Sequence, residues 1–212
     1  MPIDHGRQND PTGAEGPLDD RALLLRIRAG DSSALDGLVD RYWTPLVSYA
    51  ARLLGSWDAA EDVAQGTFVR IWERRHDWES DGSVSALLYR ITRNQGLDEI
   101  KRRERAAARS RARDQAARRV ATPSEQLEVT ELEAAFEAAV AALAERRREV
   151  FILARAHGLS YREIAEVMGI APQTVANHLS AALAELRQAL EPFLDDTVHT
   201  PGSATRRAHL NA

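Results

Sequence analysis

Residues 157–183, HGLSYREIAEVMGIAPQTVANHLSAAL, constrain the fold more than any other stretch, because they specify two short helices joined by a tight turn. Ser160 stands where the first helix starts and Glu163 follows three residues later, so each side chain can satisfy a free backbone N–H of the first turn. Ile164, Ala165 and Met168 supply a narrow apolar face, and Gly169 suits the left-handed conformation that ends a helix. Ile170 then fills the turn. Pro172 fits the first turn of the next helix, where its missing N–H costs nothing. Val175, Leu179 and Leu183 repeat at four-residue spacing and are expected to bury against the first helix, leaving Gln173, Thr174, Asn177, His178 and Ser180 on the open side. Such a pair either lays its second helix into a DNA major groove or serves only as a packing αα-hairpin.

The rest of the chain carries the same helical periodicity. Leu23, Leu24 and Ile27, then Leu35, Leu38, Val39, Tyr42, Leu46 and Tyr49, fall at three- and four-residue steps. Gly30-Asp31-Ser32 separates two helices, with Asp31 or Ser32 as the cap, and Gly55-Ser56-Trp57-Asp58 is the next break. Asp58 and Glu61 form a second capping-box candidate, opening a helix that buries some of Val63, Phe68, Ile71 and Trp72. Residues 76–83 read as a polar loop around Trp78, and a further helix starts near Val84 and runs into a basic stretch. Thr122-Pro123-Ser124 marks a boundary, since Pro resists helix continuation. Two more helices then lead into 157–183. No alternating β-branched run occurs, so the expected fold is all-α: two small helical domains joined by a basic linker, the second holding the helix–turn–helix. The expected limits are a disordered leader at 1–18, a first domain at 19–105, a linker at 106–127, a second domain at 128–192 and a flexible tail at 193–212.

Composition removes several function classes. The chain has no cysteine, which excludes disulfides, thiolate metal sites and cysteine nucleophiles and fits a reducing cytoplasm. No apolar run has the length of a membrane span, and MPIDHGRQND is too polar for a signal peptide. The histidines form no HxxxH or HExxH pair and no glycine-rich phosphate loop precedes a helix, so neither a metal, a cofactor nor catalysis is expected. Binding remains. A net charge of −4 argues against a nucleic-acid partner until its distribution is read. Residues 101–119 carry nine basic and two acidic residues, whereas 121–145 hold six glutamates and no basic residue. Segregated charge of this kind matters more for binding than the sum does.

Three candidate surfaces follow. Gln and Asn at 173 and 177 can make bidentate contacts to adenine, and Thr174 can offer its methyl to thymine. The 101–119 run can neutralise phosphates or can be a solvated helical linker. At 58–75, DAAEDVAQGTFVRIWERR gathers Asp58, Glu61, Asp62 and Gln65 at the front of a helix whose other face is apolar. Those acids serve either as complements to the helix dipole or as a face for a partner protein with a basic helical surface.

Three segments in this order resemble the sigma factors of bacterial RNA polymerase, in the extracytoplasmic-function (ECF) group of the sigma-70 superfamily. They are LVDRYWTPLVSYAARLLGSWDAAEDVAQGTFVRIWER, LLYRITRNQGLDEIKRRER and ALAERRREVFILARAHGLSYREIAEVMGIAPQTVANHLSAALAELR, together spanning about residues 20–190. The resemblance implies an alternative sigma factor that binds core RNA polymerase, directs it to a two-part promoter and helps melt the minus-10 element. It implies core binding by Asp62 and Gln65, with Glu61 and Arg70 beside them. It implies minus-10 contacts from the region Trp78 to Ser83 and from Tyr89, Arg90, Arg93 and Asn94, where Trp78 and Tyr89 stack on unpaired bases unless Tyr89 is core. Minus-35 reading falls on Gln173, Thr174, Asn177 and His178. Members are commonly held by an anti-sigma factor, and no residue here identifies one.

The chain also departs from that family. Gly66 stands where an acidic residue is usual, and a helix-interior glycine costs about 1 kcal/mol relative to alanine. Leu87 replaces a common Trp, and Ala171 replaces the Ser or Thr cap of the recognition helix, at roughly 0.5–2 kcal/mol. Ala176, Ala181 and Glu185 occupy positions where basic residues are common, so phosphate anchoring has to come from Arg155, Arg162 or Arg187, or from polymerase. Two rival readings are an autonomous helix–turn–helix regulator, which leaves 58–75 unexplained, and an interaction adaptor that has lost DNA binding, which the uncharged recognition helix would favour.

Overall fold

In the computed structural model, which describes residues 19–78, 82–111 and 131–195, the chain forms eight α-helices and no strand among the described residues. They are α1 (Asp20–Arg28), α2 (Ser32–Leu54), α3 (Trp57–Glu73), α4 (Val84–Arg111), α5 (Glu131–Ala142), α6 (Glu145–Arg155), α7 (Tyr161–Met168) and α8 (Pro172–Asp195). The division between two compact units falls at Gly96 and Leu97, inside α4. The expected leader, the loop residues 79–81, residues 112–130 of the linker and its surroundings, and the tail beyond 195 lie outside the described residues.

Local chemistry sets the helix ends. Asp19 caps α1 by accepting from the Ala22 N–H at 2.7 Å, and Asp31 caps α2 by accepting from the Ser33 N–H at 3.0 Å. Gly55 ends α2 with φ of 65°, the left-handed conformation that glycine adopts without strain. The expected Asp58–Glu61 box at the start of α3 does not form: Ser56 is the cap, its hydroxyl 3.4 Å from the Ala59 N–H, and Asp58 lies one step inside the first turn. Pro45 sits within α2 despite its missing N–H, a cost of about 3 kcal/mol offset by the packing that buries the adjoining Leu46 and Val47.

In the first unit, Ile27, Leu38, Leu46, Val63, Phe68, Ile71, Leu88 and Ile91 make the core. Trp72, one of the candidates for burial in α3, stays half-exposed beneath the Arg75 guanidinium, 4.8 Å from its ring centre. Leu87 is also buried, so this position is core rather than a stacking surface. Two buried threonines cross-link α3 and α4: the Thr67 and Thr92 hydroxyls lie 3.0 Å apart, and each also faces the carbonyl four residues back on its own helix. Satisfied in this way, two polar groups tolerate full burial.

In the second unit, α5, α6 and α7 each pack on α8. The Ser160–Glu163 capping box forms in full, and Gly169 ends α7 with φ of 66°. Two expectations about the apolar faces are corrected. Val167 joins Ile164 and Ala165 in the core, while Met168 is only half-buried. On α8 the buried series is Val175, Leu179, Ala182 and Leu186, and Leu183 is 39% exposed. A helix turns about 100° per residue, so a strict four-residue step drifts about 40° each time and carries the third member off the face. Alternating three and four brings it back.

Candidate nucleic-acid and partner interfaces

Helix α3 separates its two faces cleanly. Ala60, Val63, Ala64, Thr67, Phe68 and Ile71 are buried, and Asp58, Glu61, Asp62, Gln65 and Arg70 are exposed. The four residues expected to bind a partner therefore share one solvent-facing side of a single helix. The same side carries Val69, 49% exposed, and the N-terminal end of the helix carries Trp57, 63% exposed. Sequence reasoning passed over both, although Val69 falls four residues after Gln65 on the face that Asp62 and Gln65 define. Acidic, amide and large apolar groups together make a better protein-docking surface than carboxylates alone, because the apolar pieces give area to bury and the polar pieces fix orientation.

Helix α4 presents Arg90 and Asn94 to solvent with Arg93 half-exposed between them, at the spacing that aligns one helical face. Its opposite side is core. Tyr89 belongs to that core: it is 2% exposed, its ring meets Tyr49 edge-on at 5.4 Å, and burial pushes its phenol well above the ordinary tyrosine range. The expected stacking of Tyr89 on an unpaired base is therefore corrected in favour of core packing. Trp78 is half-buried, with its indole N–H donating to the Ile71 carbonyl at 3.2 Å and the Arg74 guanidinium 5.9 Å from its ring centre. These contacts fold it back onto the end of α3.

Further along α4, Lys101, Arg102, Arg103 and Arg105 are exposed. Glu99 accepts from the Arg102 Nε at 2.7 Å and from the Arg103 Nε at 2.7 Å. These hydrogen bonds, Arg102's first and Arg103's second, hold the Glu99 carboxyl down at about 2.

On α8, Gln173 and Asn177 are exposed and Thr174 and His178 half-exposed, so all four expected reading residues lie along the outward side of the second helix of the pair. The Gln173 amide N–H donates to the Asn177 carbonyl oxygen at 3.2 Å, which aligns two amide side chains four residues apart. Ala171 occupies the position before α8, its carbonyl accepting from the Thr174 and Val175 N–H groups, and it has no side chain to cap them. Glu185 forms an ion pair with Arg147 of α6. Arg155, Arg162 and Arg187 are exposed. Among the described residues, no group of histidines and carboxylates could hold a metal ion, and no helix is long and apolar enough to cross a membrane.

Comparison with known proteins agrees with this arrangement. The family model for Sigma-70 region 2 matches residues 38–106, and that for Sigma-70, region 4 matches residues 133–186. The RNA polymerase sigma-H factor of Pseudomonas aeruginosa is 28% identical over 184 residues, covering 82% of this chain and 95% of that protein. The ECF RNA polymerase sigma factor SigW of Bacillus subtilis is 26% identical over 176 residues, covering 79% and 94%. Among solved structures, CnrH in complex with the cytosolic domain of CnrY aligns with a TM-score of 0.60 at 27% identity, covering 82% of this chain and 97% of that one. The sigma factor RpoE of Bartonella quintana, in complex with the anti-sigma factor NepR, aligns with a TM-score of 0.59 at 27% identity, covering 74% and 96%. Both family models, in this order along one chain, and the helical faces that accompany them lead to one conclusion: the chain belongs to the sigma-70 superfamily of bacterial RNA polymerase sigma factors, in its ECF group.

Proposed function

We propose that this sigma factor docks on core RNA polymerase through the outward face of α3, with Asp62 and Gln65 at its centre and Glu61, Arg70, Trp57 and Val69 around them. Helix α4 holds the minus-10 element through Arg90, Arg93 and Asn94, and α8 reads the minus-35 element through Gln173, Thr174, Asn177 and His178. The working domains are 19–105 and 128–192, with 106–127 as linker. The chain catalyses no reaction and acts in the cytoplasm. Base pairs open because unstacked bases are captured and because polymerase contacts stabilise the opened form. Two structural relatives are seen in complex with another protein, one of them with an anti-sigma factor, and this chain is proposed to be held by an anti-sigma factor in the same general way.

One observation carries the reading. A single helix exposes an acidic and apolar face while its other side packs against the helix that bears the exposed arginine face. An autonomous DNA-binding regulator has no use for the first of these. Promoter-dependent run-off transcription with purified core polymerase tests it: the full chain should give a transcript of defined length, and Asp62→Arg should lower core affinity roughly tenfold or more. No transcript, together with no core binding in a pull-down, would refute the proposal.

A further inference from the structure

Gly66 interrupts the outward face of α3. It lies four residues after Asp62 and next to Gln65, is half-exposed, and has no side chain to offer a partner. The space above it is not empty. A Cβ built on Gly66 would lie 2.5 Å from Oε1 of Gln95, 3.5 Å from its Cδ and 3.8 Å from its Nε2. The Gln95 side chain thus reaches from α4 across to α3, and its amide occupies the volume where residue 66 would begin its own side chain. Gln95 is half-exposed, so this amide is neither sealed in the core nor swinging freely in water. It lies over Gly66, one helical turn after Asp62, and it can both donate and accept a hydrogen bond.

We propose that Gln95 is a polymerase-contacting residue, supplied by α4 to fill the gap that Gly66 leaves in the α3 docking face. This rests on the assignment of that face above. The partner group it meets is a polar or basic side chain of the polymerase surface that also faces Asp62 and Gln65. The arrangement places one contact for polymerase on the helix that bears Arg90, Arg93 and Asn94.

Core-polymerase affinity of the full-length chain tests it, measured by fluorescence titration beside a thermal melt of each variant. Gln95→Met keeps a side chain of similar length over Gly66 but removes the amide, and should weaken core binding roughly three- to tenfold with the melting temperature unchanged. Gln95→Ala should do the same. Gly66→Gln combined with Gln95→Ala moves the amide onto α3 and vacates the volume it needs, and should restore binding to within about twofold of the natural chain. If Gln95→Met binds core as tightly as the natural chain while Asp62→Arg does not, Gln95 only packs and the inference is overturned although the docking face stands. If Asp62→Arg also binds normally, the face itself is misassigned and the role of Gln95 falls with it.

Discussion

The two helices proposed to contact DNA are built on opposite plans. Between Arg90 and Arg105, helix α4 carries Arg90, Arg93, Lys101, Arg102, Arg103 and Arg105 against Asp98, Glu99 and Glu104. The stretch of α8 from Pro172 to Leu186 carries no lysine or arginine, and its one acidic residue, Glu185, is paired to Arg147. Phosphate contacts dominate affinity and are indifferent to sequence, whereas base-edge contacts specify and add little affinity unaided. By that division α4 is the helix proposed to anchor its own strand. Helix α8 has the amides for reading bases, and its proposed reading of the minus-35 element needs delivery by polymerase. Tethering to polymerase can supply that, because linked sites face an effective concentration that reaches millimolar for short flexible connections.

The largest expected effect falls on α4. Replacing Arg90 and Arg93 together by alanine should weaken promoter binding by the polymerase complex at least tenfold or so at about 0.1 M salt. It should also lower the slope of log affinity against log salt by about 1.4 to 1.8, two contacts' worth. An unchanged slope would break the contrast from this side. On α8 the expected signature is the reverse. Gln173→Ala or Asn177→Ala should cost roughly 1–3 kcal/mol of discrimination between the preferred and a substituted minus-35 base, measured by competition binding, with the salt slope unaltered.

A smaller effect concerns the uncapped start of α8. Ala171→Ser should stabilise the unit by roughly 0.5–2 kcal/mol, read as a raised midpoint in thermal or urea unfolding. The smallest concerns Glu99. Its carboxyl is held at about 2, so it stays ionised and paired at neutral pH, and the stabilisation it gives is lost only as pH falls from its ordinary 4.5 through about 2. Promoter affinity between about pH 6 and about pH 8 should therefore show no titration from this group. Glu99→Gln, which frees Arg102 and Arg103, should steepen the salt slope by less than about 1.

How legible these features were in the sequence differed by type. Local signals read true: the Ser160–Glu163 box, Gly169, Asp31 and the break at Gly55 depend only on neighbours within a turn. The exposed faces of α3 and α8 were also legible, since periodicity fixes which residues share a side. The misreadings involved contacts between helices. Tyr89 is an aromatic on a helix bearing arginines, and only its packing on Tyr49 shows that it is core. Ser56 displaces Asp58 as cap through backbone geometry that composition does not encode. Leu183 was assigned by spacing alone, and helical drift turned it outward. Gly66 looked only like a helix defect. Its explanation, the Gln95 amide crossing from α4, lies twenty-nine residues along the chain and becomes visible when the two helices are brought together.

The most direct test of this account compares promoter-DNA binding by the full chain alone and by the chain bound to core RNA polymerase, using duplexes that carry or lack the minus-35 element. The account predicts that the free chain distinguishes the two duplexes weakly and that the polymerase complex prefers the intact one by at least tenfold or so. Equal affinity and equal preference with and without polymerase would contradict it, and would make α8 the reading helix of a self-sufficient DNA-binding protein.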